Sequence, residues 1–476
     1  MEACLEEKLA PLVTKFLLHP MTPEAMLLFE ESLQGVVREL GRDVLEWTMN
    51  AGEPDDAEDQ PHDVKVSGGG YRRLRDKTAN PDVATTFGRI TLWRRGYRSW
   101  SRGDGEPTIF PLERQLGLVE KTTPALAGRI ARRMAEAGAT QGTVIDWLRH
   151  EYTVAYGIER LRRLCEQVSS SLEEQREHWQ TQQLLQWLEQ AHASRGKNKP
   201  VLAVGRDGVT FHVQGVYEVG STATISVYDR NGQRLGTVYL AQPSESHQKT
   251  LSDQLTQLIR RTLKSWTGPP PRLCYVTDAG DAETQYYRAV LRRMRDPRRP
   301  GHRLDWIRIV DYFHVTERIT KMGEALRFTS VQHAQAWMAR MRKLLKTPSG
   351  AGRVLHSAAA MKSRLGLHKS RRADFEGARN YLRNQREFLD YAEYKRLGLP
   401  IGSGVTEAAC KTVFTQRLKL SGMQWKRAGS QVILRLRVVL LSGIWDKAYV
   451  ASVKANTSSH IEVYDKNTKS ASRIAA

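Results

Sequence analysis

The chain has 476 residues, too many for one ordinary domain, so we expect two to four folding units. Hydrophobic residues make up 40% and charged residues 26%, which is typical of globular proteins and excludes a mostly disordered chain. Residues 1–60 contain 4 Lys or Arg and 14 Asp or Glu, whereas the rest contains 69 basic and 38 acidic residues, net +31. The electric field of this large positive net charge attracts a polyanion such as nucleic acid.

Cysteine usage and hydropathy exclude several other classes. The cysteines form no CxxC pair, so neither a zinc knuckle nor a disulfide framework is expected. No secretory signal is evident, and Arg435 and Arg437 interrupt the apolar stretch VILRLRVVLLSGIW, which favours a core helix with a basic edge over a membrane span. We expect a cytoplasmic protein, and because no GxxxxGK[ST] loop occurs we expect no nucleotide cofactor.

The first two predicted regions differ sharply in charge. In residues 1–60, apolar side chains recur at helical spacing from Pro23 to Asn50, which predicts an acidic amphipathic helix that mediates oligomerisation, as a homodimer or higher oligomer. Residues 61–120 mix β-branched, aromatic and glycine residues, which predicts a basic, β-hairpin-rich module. Arg94 and Arg95 are candidate phosphate contacts there, and a basic edge that only prevents aggregation is the alternative.

Residues 121–195 return to helical spacing. QGTVIDWLRHEY, a short turn and IERLRRLCEQV have the pattern of a helix-turn-helix, with the candidate DNA contacts Arg160, Arg162 and Arg163 on the second helix. A polar, glutamine-rich helix from Ser169 to His192 and the linker ASRGKNKP should follow.

The remaining chain predicts an α/β domain with an insertion. Residues 196–314 alternate strands and helices, with a tight turn at Asn231 and Gly232, and residues 401–451 complete this domain. The segment 315–400 shows no strand pattern and predicts an all-helical insertion, and 452–476 predicts a polar, unstructured tail. The fold class is thus multidomain α+β.

Three carboxylates occupy the positions that metal-dependent phosphodiester chemistry requires. Asp207 closes the first predicted strand of the α/β domain, Asp278 closes a later one, and Glu407 opens a helix after the insertion. Two divalent ions roughly 3.5–4 Å apart, held by carboxylates, activate the attacking oxygen and stabilise the leaving oxygen. Each residue alone also has a structural interpretation: Asp207 as a turn residue, Asp278 as a helix N-cap, and Glu407 as a negative charge that complements the helix dipole.

Several motifs carry a family resemblance. GSGVTEAACKTVFTQRLKLSGMQW resembles the C-terminal catalytic motif of ISKra-type bacterial insertion-sequence transposases, which are similar to the Mutator-like group, and VGRDGV, VTDAGD and VDYFHVTERI resemble the preceding motifs. The resemblance covers about residues 200–446. It implies an RNase H-like catalytic domain with a DDE triad of Asp207, Asp278 and Glu407. Residues 61–110 lack the cysteines that family members often carry before their hairpin region.

The same resemblance suggests accessory residues. Asp311 and His314 resemble the C/DxxH motif of Mutator-like enzymes, which would orient the site or contact the DNA backbone; helix capping is the alternative. Lys411 is a further accessory candidate. Near the C-terminal motif, Arg417 and Lys419 are candidate DNA contacts, and Trp425 could stack on a base or belong to the core.

The sequence therefore predicts a DDE transposase that cleaves double-stranded DNA at element ends and joins it to target DNA, with two Mg²⁺ ions per site and Mn²⁺ as a substitute. It would associate with the nucleoid when bound to DNA. A nuclease without strand joining and a catalytically silent DNA-binding protein are the alternatives. The competing carboxylates, ranked lower, are Asp281 and Glu283 after the second strand, and Asp305 and Asp311 around the next one.

Overall fold

The computed structural model describes residues 2–18, 20–66, 69–100, 107–457, 461–464 and 471–473. Two compact units combine helices and strands, so the class is mixed α+β. The first unit comprises Met1–Met134, Ala139–Leu172 and Tyr449–Ala476, and the second comprises Ala135–Gly138 and Glu173–Ala448.

The first unit is built on a long β-hairpin with helices at its edge. The elements before the second sheet are, in chain order, α1 (Glu2–Leu17), α2 (Pro23–Ala51), β1 (Asp63–Val66), β2 (Gly69–Thr85), β3 (Gly88–Ser99), α3 (Pro111–Gln115), α4 (Pro124–Ala135), α5 (Gln141–Tyr152) and α6 (Ile158–Ala193). The last residue of α4 and the part of α6 from Glu173 onward belong to the second unit. Strands β2 and β3 pair antiparallel across a two-residue turn, which Gly88 permits by its positive φ of 115°.

Helix α2 covers the exposed edge of β3. The Thr22 hydroxyl caps its start by accepting from the Ala25 N–H at 3.1 Å. At its other end the Asn50 amide donates to the Thr91 carbonyl at 2.9 Å and accepts from the Trp93 N–H at 2.7 Å. These bonds satisfy backbone groups that an edge strand otherwise leaves open to another chain.

The second unit holds a mixed five-stranded sheet. Its strands are β4 (Val201–Val213), β5 (Val216–Tyr228), β6 (Arg234–Gln242), β7 (Arg272–Thr277) and β8 (Trp306–Val310), in the order β6-β5-β4-β7-β8. Strands β4 to β6 are antiparallel neighbours, whereas β7 and β8 run parallel to β4. Helices α7 (Lys249–Ser265) and α8 (Asp281–Ala289) connect the later strands.

Side chains alternate between the two faces of this sheet. Val201 and Ala203 belong to the core under the later helices, whereas Leu202 and Val204 belong to the core under α7. This period of two places Asp207 on the face of Val201, and Arg206 on the opposite face. Both faces are buried in the first half of β4, whose residues Val201–Val204 are all apolar.

Between β8 and Thr457 the regular secondary structure is helical. It comprises α9 (Tyr312–Ala325), α10 (Val331–Leu344), α11 (Gly350–Leu365), α12 (Arg372–Asn384), α13 (Tyr391–Arg396), α14 (Gly404–Ala409), a π-helical segment (Cys410–Thr415), α15 (Gln416–Leu418), α16 (Arg427–Leu441) and α17 (Trp445–Thr457). Apolar side chains of α9 to α13 share one core with the sheet.

Three sequence-based expectations need correction. Asp207 does not close its strand, because β4 continues to Val213 in a long hairpin with β5. The helix expected from Ser169 is not separate, since α6 runs unbroken from Ile158 to Ala193. The segment after Ser452 is not unstructured where it is described: α17 reaches Thr457, and β9 (Ile461–Tyr464) and β10 (Ala471–Arg473) extend the first sheet beside β1.

Candidate active site

Two aspartates lie at the same level, just past the last paired residues of two neighbouring parallel strands. The pairing of β4 with β7 ends at Gly205 and Val276, and Asp207 and Asp278 each lie two residues further along their chains. One oxygen of each carboxylate accepts a backbone N–H, from Gly208 at 2.7 Å for Asp207 and from Gly280 at 2.9 Å for Asp278. In α/β sheets, substrates and cofactors bind outside the carboxyl ends of the parallel strands, so this position suits an active site.

Glu407 reaches this edge from a short helix that rests on the sheet. Thr406 of α14 makes a 2.8 Å hydroxyl–hydroxyl contact with Thr224 of β5. A Cβ atom at Gly205 would lie 2.0 Å from the Thr406 hydroxyl oxygen, so only glycine allows this close approach. The Glu407 side chain itself is about half exposed, and its negative charge raises the pKa of Asp207.

The carboxylates repel one another. Burial raises the pKa of Asp207, and the negative charges of Asp278 and Glu407 add to this rise against the hydrogen bonds from Gly208 and Cys410. Burial also raises the pKa of Glu283, an alternative site carboxylate, which the charge of Asp278 raises further and Arg206 opposes. A cation at this edge would relieve that repulsion.

The DxxH pair joins the site through Asp311. Asp311 is fully buried and caps α9, because one of its oxygens accepts the His314 N–H at 2.7 Å and lies 3.2 Å from Nδ1 of the same histidine. Its other oxygen accepts from the Ser403 N–H and lies 2.9 Å from the Ser403 hydroxyl oxygen. His314 Nδ1 also lies 3.7 Å from Glu407 Oε1. The helix-capping alternative holds with Asp311, not His314, as the capping residue. The orienting role stays a prediction.

His314 gains charge from these neighbours. Burial by itself lowers the pKa of His314, but the hydrogen bond to Asp311 and the negative charges of Asp311, Glu317 and Glu407 outweigh it and raise the pKa overall. A protonated imidazole here would attract the Glu407 carboxylate, whose Oε1 lies 3.7 Å from His314 Nδ1.

Two groups of side chains could hold a metal ion. Within the described ranges, Asp311, His314 and Glu407 offer ligand atoms that lie within 4.8 Å of one another. Asp311 is a poor ligand, because its oxygens already accept from His314 and Ser403. Asp207, Asp278 and Glu407 fit better: they are hard oxygen donors, and two ions roughly 3.5–4 Å apart require ligands spread around both.

No sequence pattern indicates the π-helical segment that follows Glu407. It places the thiol of Cys410 3.4 Å from Asp207 Oδ2, and burial together with the charge of Asp207 raises the pKa of that thiol. Arg437 donates to the Thr412 carbonyl inside the segment. Such widened turns are frequent at functional sites, and no residue type marks them in a sequence.

The helical insertion also contacts the site. The Tyr381 hydroxyl of α12 donates to the backbone carbonyl of Asp278 at 2.6 Å. The next residue, Ala279, has a positive φ of 68°, a conformation that costs energy for a non-glycine residue. The bond from Tyr381 helps to hold this segment, and the sequence offers no signal for it because the partners are 103 residues apart.

Four predicted DNA contacts are structural instead. Arg94 and Arg95 are buried: Arg94 bonds Glu113 at 2.7 Å, and Arg95 donates to the carbonyls of residues 54–56. Arg160 bonds Asp82 at 2.6 Å with its side chain only 13% exposed. Arg417 is fully buried, with its guanidinium 5.2 Å from the centroid of the Trp425 ring. Each arginine has paired with protein groups distant in sequence.

The other predicted contacts keep accessible side chains. Arg162 and Arg163 are exposed but bond Glu159 at 3.2 Å and Glu120 at 2.9 Å. Lys411 and Lys419 are exposed. Trp425 is half-buried and donates its indole N–H to the Leu418 carbonyl at 3.0 Å, so its ring packs on protein.

No protein-family model matches the chain, and a search of curated proteins found no similar sequence. Within the part of the chain that the structure describes, no helix is long and apolar enough to cross a membrane.

Proposed function

We propose that the protein is a DDE transposase whose catalytic carboxylates are Asp207, Asp278 and Glu407. The single observation that carries the proposal is the convergence of these three side chains at the carboxyl edge of the parallel strands, where the charges of Asp278 and Glu407 raise the pKa of Asp207. A sheet with an antiparallel hairpin first and parallel strands afterwards supports an RNase H-like domain.

The proposed chemistry is cleavage at an element end followed by joining to target DNA. Two Mg²⁺ ions bound by the three carboxylates would activate the attacking oxygen and stabilise the leaving one, with Mn²⁺ as a substitute. The backbone N–H groups of Gly208 and Gly280 each donate to one oxygen of Asp207 and Asp278. The other Asp207 oxygen lies 3.4 Å from the Cys410 thiol, a weak donor that a metal ion would displace. Glu407 lies on a helix fixed to β5 through Thr406. No protein nucleophile is required.

Double-stranded DNA is the proposed substrate, because residues 61–476 carry net +31. The helical insertion supplies exposed basic side chains that could contact phosphates, among them Arg340, Lys343, Lys346, Arg364, Lys369 and Arg372. Together with the exposed Lys411 and Lys419, these replace the buried arginines as candidate contacts. The protein would act on DNA in the cytoplasm.

Self-association is proposed through α2. Apolar side chains recur along it at alternating steps of four and three residues, the spacing of a coiled-coil seam, interrupted once by Glu30. The apolar positions are Met26, Leu33, Val37, Leu40, Val44 and Trp47. Met26, Val37, Val44 and Trp47 are exposed, whereas Phe29 on a neighbouring stripe stacks on Phe16 of α1. A second copy of α2 would cover this seam along roughly 30 Å of helix.

The test compares Asp207→Asn, Asp278→Asn and Glu407→Gln with Asp281→Asn, an exposed carboxylate three residues after Asp278. Each variant receives DNA that carries the ends of its own element, and binding, cleavage and joining are measured in Mg²⁺. Loss of one ligand should lower cleavage and joining by several orders of magnitude while leaving end binding intact. Asp281→Asn should remain active. Full cleavage by any of the three triad variants would remove that residue from the site.

The same assay separates the alternatives. A nuclease would cleave element ends and yield no joined product. A catalytically silent DNA-binding protein would bind ends with no cleavage by the unmodified chain. Joined product from the unmodified chain excludes both.

A further inference from the structure

Ser403 occupies a helix-capping position without capping the helix. It precedes α14, yet its side chain makes no capping hydrogen bond to that helix. Its hydroxyl oxygen lies 2.9 Å from Asp311 Oδ2 and 2.5 Å from Glu407 Oε1, and its N–H also donates to Asp311. A serine at an N-cap ordinarily accepts an N–H from the first turn, so this hydroxyl is used for another purpose.

The two carboxylates beside Ser403 differ in how far their side chains can move. Asp311 is fully buried and accepts from His314 on one oxygen and from Ser403 on the other, so it is fixed. Glu407 is about half exposed and reaches outward from the first turn of α14. Ser403 is buried between them. Its hydroxyl has one proton, and because Asp311 already accepts the Ser403 N–H, the hydroxyl donates to Glu407 Oε1 at 2.5 Å.

We propose that Ser403 is a positioning residue that holds the Glu407 carboxylate in the orientation needed to bind a divalent ion. The proposal rests on the function proposed above. A side chain held in one rotamer loses less freedom when it becomes a ligand, and groups hydrogen-bonded to a ligand commonly change metal affinity 10- to 100-fold. His314, 3.7 Å from the same oxygen, supports the orientation from a second direction.

The test measures Mn²⁺ binding to the full chain by calorimetry, so that it does not depend on catalysis. Ser403→Ala should weaken Mn²⁺ binding by about 10-fold or more, whereas Ser403→Thr, which keeps the hydroxyl, should recover most of the affinity. The matched control is Ser330→Ala, because the Ser330 hydroxyl caps α10 by accepting the His333 N–H at 3.2 Å. This control should lower stability and leave Mn²⁺ binding unchanged.

A Ser403→Ala protein that binds Mn²⁺ as tightly as the unmodified chain overturns the inference, and so does a Ser403→Thr protein as weak as Ser403→Ala. If Ser403→Ala does not fold, Ser403→Cys takes its place, since a thiol is of similar size but is a much weaker hydrogen-bond donor. Ser403→Cys should then bind Mn²⁺ more weakly than the unmodified chain, and equal affinity overturns the inference. Glu407→Gln distinguishes the two proposals: if it binds Mn²⁺ as the unmodified chain does, Glu407 is no ligand and the proposed function fails.

Discussion

Replacement of Arg437 by methionine should destabilise the second unit by removing a buried hydrogen-bond donor. Arg437 is 2% exposed in α16, and its guanidinium donates to the carbonyls of Thr412 and Ala135. In the π-helical segment the Gln416 N–H bonds the Lys411 carbonyl, five residues back, rather than that of Thr412. The Thr412 carbonyl accepts from Arg437 instead, so the arginine satisfies a group that the widened turn leaves open.

The magnitude follows from two acceptors and one buried charge. A hydrogen bond to a charged group contributes about 1.5–3 kcal/mol, so loss of the donor to both carbonyls costs about 3–6 kcal/mol. Burial of the guanidinium lowers the pKa of Arg437 to about 10, which shows that the buried charge is itself unfavourable. Methionine carries no charge, so its burial offsets part of the free energy lost with the hydrogen bonds. We expect a net loss of about 2–4 kcal/mol, and roughly 5–15 °C in Tm.

The assay is equilibrium urea unfolding, with Arg435→Met as the matched control. Arg435 lies on the same helix two residues earlier and is only half-buried, so its replacement should change stability by less than about 0.5 kcal/mol. Equal stability of the two variants would refute the reasoning. Cleavage measured where both variants are folded should also fall further for Arg437→Met, because the π-helical segment positions Cys410 against Asp207.

Two other predictions follow from charge and from the α2 seam. DNA affinity should fall steeply with salt, because net +31 over residues 61–476 implies many phosphate contacts; a nearly flat plot of log affinity against log salt concentration would contradict this. Val37→Glu combined with Val44→Glu should reduce the mass measured in solution by light scattering, because charges enter an apolar seam, while end binding by each chain persists. Ser32→Glu with Gly35→Glu adds the same charge at exposed positions off the seam and should leave the mass unchanged; loss of DNA binding with an unchanged mass would contradict a role in association.

The positions of the two aspartates could be predicted because strand periodicity is a local signal. The apolar run RLCYVT ends where β7 ends, and Asp278 follows it directly. The extent of β4 was missed because Asp207 and Gly208 resemble a turn, whereas tertiary pairing with β5 keeps both residues in the strand. The helical insertion was predictable for the same local reason, since no alternating pattern interrupts it.

Which arginines are buried and which stay exposed could not be predicted, because the residue type determines the charge of a side chain but not its burial. Arg160 bonds Asp82, 78 residues away, and Arg94 bonds Glu113, 19 residues away. The position of Ser403 four residues before Glu407 is a local clue to their contact, but the link to Asp311 spans 92 residues. Long-range pairing thus decides which polar side chains remain available for a ligand.

The same reasoning gives the helical insertion a structural role at the site. Strand β8 is an edge strand, and such strands leave backbone groups unpaired on one side. Tyr391 donates to the Val310 carbonyl at 2.7 Å and Tyr394 to the Arg308 carbonyl at 3.3 Å, while Tyr381 bonds the carbonyl of Asp278. Removing the insertion would leave these carbonyls without their tyrosine donors and free the segment that carries Asp278. The insertion is therefore part of the scaffold of the carboxylate site, in addition to any contact that its basic side chains make with DNA.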